Sequence, residues 1–185
     1  MELYKTLLII IFITIFSFNY NVLIPVFAKT VLGLKEQGFG VLLSSLGIGS
    51  LIGALSAPVL SGKEPRPHNL VYSSLLIGIS LLCVSSSTNI YTTCFFIACC
   101  GVFNLWFFTA ANSILQLNSQ DSYRGRVMGV YSVAFAGTMP IGNFIVGYSA
   151  ENLGANRTFA YAGIIVSFTM VVLILNKFLR KRRIS

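Results

Sequence analysis

Six apolar runs alternate with short polar segments along the chain, at residues 7–28, 39–60, 69–87, 90–117, 127–148 and 158–178. Most are long enough to cross the hydrocarbon core of a bilayer as a helix, which takes about 20 residues. Polar and small positions inside the runs recur at three- and four-residue spacing, the period of a helix face. In the first run, Thr14, Ser17, Asn21 and Pro25 share a stripe, with Tyr20 beside it. Two readings stand for it: polar groups bonded to their own backbone or a neighbouring helix, or a water-facing stripe with a bend at Pro25. The second run carries Ser45, Gly49, Gly53 and Ala57 four apart, a row of small residues that lets another helix approach closely. The fourth holds Asn104, Phe108, Asn112 and Gln116 on one stripe. Amides at membrane depth are costly unless paired or facing water, so this stripe is a candidate site, with interhelical hydrogen bonding as its alternative. The third and sixth runs are almost featureless.

The fifth run follows an abrupt change in polarity. Asp121 and the bracket Arg124-Gly125-Arg126 lead straight into an uncharged segment punctuated by Gly129, Gly137, Pro140, Gly142 and Gly147. Glycine and proline in a lipid-embedded helix allow close packing and bending, because neighbouring helices satisfy the freed backbone groups.

Composition turns these runs into a fold class. The 185 residues are 55% hydrophobic and 10% charged, far below the roughly 25% charge of a soluble domain. The chain is therefore expected to be an all-α integral membrane protein of six transmembrane helices forming a single domain. A net charge of +8 could suggest nucleic acid, but Lys177, Arg180, Lys181, Arg182 and Arg183 follow an apolar run and have no interleaved stacking face. They read as a topology signal. With the N-terminus inside, inner segments hold ten cations (Lys5, Lys63, Arg66, Arg124, Arg126 and the five of the tail) and outer segments three (Lys29, Lys35, Arg157). That bias predicts cytoplasmic termini.

Charge and cysteine positions exclude several functions. All five acids (Glu2, Glu36, Glu64, Asp121, Glu151) lie outside the runs, and the lone His68 ends a loop. A proton relay needs a carboxylate or histidine at depth, so this chain supplies none by itself. Serine–histidine and His-Glu-x-x-His membrane proteases are excluded likewise, and no enzyme is expected. Gly62-Lys63 does not complete a phosphate-binding loop, since Ala57 occupies the first glycine's place and Glu64 that of Ser/Thr. Cys83, Cys94, Cys99 and Cys100 lack metal-ligand spacing and read as small apolar fillers. No cofactor or metal is expected.

Several stretches together resemble one family. RGRVMGVY at 124–131, Pro140-Ile141-Gly142, Pro25-Val26-Phe27-Ala28, Gly38-x-Gly40 and Gly47-x-Gly49-x-x-x-Gly53 are similar, in order and spacing, to the C-terminal six-helix half of a major facilitator superfamily transporter. The nearest branch is the enterobactin-exporter-like and macrolide-efflux-like one. The resemblance implies half of an alternating-access fold in which the first and fourth spans line the cavity, the second and fifth form the rocking interface, and the third and sixth face lipid. It implies cavity contacts from Tyr20, Asn21, Asn104, Phe108, Asn112 and Gln116, and a cytoplasmic gate from Asp121, Arg124 and Arg126. Pro25, Gly49, Gly53, Gly137, Pro140, Gly142 and Gly147 are the expected bending and packing positions. The loop at 61–68 is a degenerate form of the family's gating loop, with Lys63, Glu64 and Arg66 out of pattern.

The expectation is a C-terminal half that exports small amphipathic molecules, such as drugs or siderophores, from a bacterial plasma membrane. Its partners would be the bilayer, a small-molecule substrate, and a missing or separate N-terminal half or a second copy, but not nucleic acid. The alternatives are a non-transporting membrane interaction subunit and an inactive truncated or internally started fragment. A six-span channel ranks last, because no charged ring or filter-like loop is present.

Overall fold

Seven helices account for all regular structure in the described part of the chain, which is residues 3–34, 36–61 and 67–182 of a computed structural model. They are α1 (Leu3–Ser17), α2 (Tyr20–Thr30), α3 (Glu36–Ser61), α4 (Pro67–Ser86), α5 (Ile90–Leu117), α6 (Arg124–Leu153) and α7 (Ala155–Arg182). The sequence-level assignments to Glu2, Lys35, the 62–66 segment with Lys63, Glu64 and Arg66, and Arg183 lie outside the described residues. Six segments are long and apolar enough to cross a membrane, α1 and α2 together making the first.

Lipid offers the backbone no hydrogen bonds, so an apolar run closes its own ladder and becomes a helix. The hydroxyls scattered along these helices follow the same logic. Ser45, Ser74, Ser80, Thr138 and Thr169 each donate to the carbonyl four residues back, at 2.7–2.9 Å. Helix ends fall where local chemistry changes. Asn89 caps α5, its side chain accepting from the Tyr91 N–H at 2.9 Å. Gly154 stops α6 at φ 87°, a backbone conformation that side chains disfavour.

The first span is interrupted seven residues before the proline where a bend was expected. Pro25 lies inside α2, while the helix breaks at Phe18–Asn19. The cause is local. Asn19 folds its side chain back so that Nδ2 donates to the Ile15 carbonyl at 2.6 Å. Its own carbonyl accepts from the N–H groups of Val22 and Leu23 at 3.1 and 3.0 Å, starting α2. A side-chain amide has thus taken a place in the ladder, the competition that makes asparagine a poor helix former.

Two pairs of helices are clamped backbone to backbone. Gly49 and Gly53 of α3 face α5, where a Cβ on Gly53 would lie 2.7 Å from the Val102 carbonyl oxygen. Gly101 of α5 answers by nesting against Leu46, Gly49 and Ser50. The small-residue row of the second span therefore packs on the fourth span of the same chain. Gly78 of α4 and Gly163 of α7 make an equivalent contact, a Cβ on Gly163 standing 2.8 Å from the Gly78 oxygen. Between these clamps, Phe27, Phe107 and Phe159 are fully buried, Phe27 and Phe159 edge-on at 5.4 Å. α6 is the least embedded helix. It remains continuous through Pro140, and Val133, Ile141, Phe144 and Tyr148 are exposed on it.

Candidate functional site

The break in the first span puts three residues, Phe18, Asn19 and Tyr20, where α1, α5 and α6 meet. Tyr20 opens α2 and is 6% exposed; Asn104, in mid-α5, is 4% exposed. Their side chains find each other, Asn104 Nδ2 donating to Tyr20 Oη at 3.0 Å. That bond uses one of the amide's two N–H groups, while Asn104 Oδ1 is buried with no partner among the described residues. One turn along α5, Phe108 packs edge-on against Phe18 at 4.5 Å and against Phe135 of α6 at 4.9 Å. Phe18 and Phe135 are themselves 6.0 Å apart. A further turn along, Asn112 Nδ2 reaches Tyr131 Oη at 3.4 Å, and Tyr131 stacks near Phe135 at 6.4 Å.

The result is a layered wall, with an aromatic triplet between two amide–phenol pairs. The rings offer apolar area and π faces, and the amides and phenols offer donors and acceptors that orient a ligand. No ionisable carboxylate, lysine, arginine or histidine lies among these residues, so the wall has neither a general acid–base pair nor a metal-ligand set. No metal-holding cluster of His, Cys, Asp or Glu occurs among the described residues either.

The sequence-derived candidates divide. Tyr20, Asn104, Phe108 and Asn112 come together in this wall. Asn21 and Gln116 are exposed and make none of its contacts. Thr14 and Ser17 are buried, with hydroxyls that have no partner among the described residues. Pro25 borders a different recess, of about 900 Å³, at the α2–α3 corner with Lys29, Gln37 and Phe39. Asp121 and Arg124 pair at 2.7 Å on the turn before α6, with 91% and 48% of their side chains exposed, and the Arg126 guanidinium lies 5.5 Å over the Tyr123 ring. Gly142 is a packing position: a Cβ there would lie 2.7 Å from the Ile15 oxygen and 2.8 Å from Asn19 Oδ1. Gly147 is in looser contact with Val22, while Gly137 has nothing within 4 Å of such a Cβ.

Phe18, Asn19, Tyr131 and Phe135 carry the wall but were not among the candidates. A signal for the first two was present: Phe18-Asn19-Tyr20-Asn21 puts two amides at the middle of an apolar run. Tyr131 and Phe135 are four apart on α6, a helix-face pair hidden among the glycines.

Comparison with known proteins gives this geometry a family. The transmembrane secretion effector family, a major facilitator superfamily group, matches residues 2–183. The staphyloferrin A transporter of Staphylococcus aureus is 30% identical over 165 residues, covering 89% of this chain and 41% of that protein. Macrolide efflux protein A of Streptococcus pyogenes is 23% identical over 165 residues, 86% of this chain and 40% of that protein. The chain thus spans about two-fifths of the length of these relatives. With a family match over nearly its whole length and six helices fit to span a bilayer, this chain belongs to the transmembrane secretion effector family of major facilitator transporters.

Proposed function

We propose that the chain is the C-terminal half of an alternating-access exporter of small amphipathic molecules, its layered wall being one side of the substrate cavity. The observation that carries the reading is the conjunction of a broken first span with the Tyr20–Asn104 and Asn112–Tyr131 pairs around three half-buried rings. A purely structural contact between helices favours full burial, as at Phe107 and Phe159. Half-exposed rings flanked by amides suit a surface that meets a ligand. The names of the relatives, one a siderophore transporter and one a macrolide efflux protein, support substrates with both apolar and polar groups.

The second half of the cavity belongs to another six-helix unit, either encoded with this chain or supplied in trans. Around Pro140, α6 presents Gly129, Ser132, Ala136 and Gly137 to the outside. Lipid gains nothing from small residues, whereas a partner helix does. A wall on one side needs a second side to close over a ligand. The excess of inner over outer cations favours cytoplasmic termini in a bacterial plasma membrane, with Asp121, Arg124 and Arg126 at the cytoplasmic gate.

The test is a chimera in which this chain replaces the matched two-fifths of macrolide efflux protein A, expressed in drug-sensitive bacteria and assayed by ethidium efflux. Efflux that is lost on Asn112→Leu, with membrane abundance unchanged, supports the reading. A chimera that inserts and pairs but is indifferent to Asn112 favours a non-transporting subunit instead.

A further inference from the structure

The three half-buried rings of the wall are not equivalent. Phe108 and Phe135 belong to unbroken helices, α5 and α6. Phe18 belongs to neither α1 nor α2; it occupies the break itself, beside an asparagine whose side chain has replaced a ladder bond. Its backbone is therefore the least constrained of the three, and a rotation at 18–19 moves this ring while leaving the other two in place. It makes ring contacts with Phe108, Phe135 and Tyr20 at 4.5, 6.0 and 6.4 Å, as many as Phe108 and Phe135 each make. Core phenylalanines of this chain, Phe27, Phe107 and Phe159, are fully buried on regular helices; Phe18 is only half-buried.

We propose that Phe18 is a displaceable plug, filling the seat that takes the flat apolar ring system of a neutral or cationic amphipathic substrate. The seat is the edge of Phe108 and Phe135, and the flanking Asn104 and Asn112 amides meet the substrate's polar groups. A neutral or cationic ligand is favoured because the wall presents π faces and no cation. Substrate entry exchanges one aromatic contact for another, so the swap is nearly balanced in energy and the break at 18–19 turns at little cost. Ring displacement in the seat is thereby tied to the angle between α1 and α2. The proposal rests on the cavity reading above.

The experiment uses the full-length chimera with macrolide efflux protein A in nanodiscs, so that both sides of the cavity are present, with rhodamine 6G as the probe and fluorescence anisotropy as the readout. Phe18→Ala vacates the seat and is expected to bind the probe about tenfold more tightly, the worth of one or two ring pairs. Phe18→Trp, a larger plug, is expected to bind more weakly than wild type, and Phe108→Ala, which removes the seat, more weakly still. Phe18→Leu serves if the alanine variant loses its helical circular dichroism, with an intermediate gain expected. Probe binding that is unchanged or weakened in both Phe18→Ala and Phe18→Leu overturns the plug and leaves the cavity standing. Absence of binding in wild type and every Phe18 variant overturns the plug together with the cavity reading.

Discussion

The α3–α5 and α1–α6 contacts each involve one helix carrying several glycines, α3 and α6, yet the two are built differently. Between α3 and α5, Gly49, Gly53 and Gly101 interlock so closely that a methyl group at any of them meets backbone atoms of the other helix. Backbone cannot move aside as a side chain can, so this contact is rigid. Between α1 and α6 only Gly142 is engaged in that way, and it engages the last turn before the break in the first span. The other glycines in the first half of α6, Gly125, Gly129 and Gly137, have open space around them. The difference teaches that glycine content alone does not mark a packed interface. One contact locks its two helices backbone to backbone along several turns, whereas the other does so at a single glycine and leaves the remaining glycines of the first half of α6 open.

The sharpest way to break this comparison is to fill both kinds of glycine. Gly101→Val is expected to prevent stable folding or to cost about 3 kcal/mol or more, since overpacking against backbone exceeds the usual 1–3 kcal/mol; detergent-resistant melting and membrane abundance measure it. A variant that melts like wild type would show the clamp to be soft. Next in size is Asn104→Leu, which leaves the buried Tyr20 hydroxyl without its amide donor and is expected to cost about 1–3 kcal/mol in the same melt. Adding Tyr20→Phe is expected to restore most of the loss, because removing both partners is far milder than removing one.

Asn112→Leu lies at a longer and less buried bond, so its expected loss of stability is within about 1 kcal/mol. Its effect is expected in flux instead, a fall of about tenfold or more in the chimera. Gly137→Ala sharpens the comparison from the other side. With open space around it, the substitution is expected to stabilise the isolated chain by about 0.5–1 kcal/mol through helix propensity, yet to slow efflux in a full-length chimera where a partner helix approaches. Equal melting and equal efflux would remove the open stripe as an interface. The smallest effect is expected for Arg124→Gln. It breaks an exposed ion pair with Asp121, and melting should match wild type within error.

The membrane class, the six helices and the family were legible because each rests on a pattern written along one dimension. Runs of Leu, Ile, Val and Phe with no acid inside them have one stable answer in a bilayer, and the 124–131 stretch with its following glycines carries the resemblance directly. Parts of the wall were legible for a similar reason, since Asn104, Phe108 and Asn112 repeat at the period of a helix face. Their partners on α6 were not. Tyr131 and Phe135 sit among glycines with no pattern that separates them from core residues, and Gln116, on the same stripe as Asn112, is exposed.

Composition and periodicity by themselves determined that this chain enters a membrane and folds as helices, because hydrophobic transfer and backbone hydrogen bonding act residue by residue and turn by turn. The link to transporters came from the resemblance of its motifs to a family. Tertiary structure alone decided which glycines are clamps and which are open, where the first span breaks, and which rings meet. Those outcomes depend on distances between helices far apart in sequence. The break illustrates the reason most directly. Pro25 is tolerated inside α2, whereas Asn19 interrupts the helix because its amide reaches the Ile15 carbonyl just where Gly142 of α6 leaves room for it.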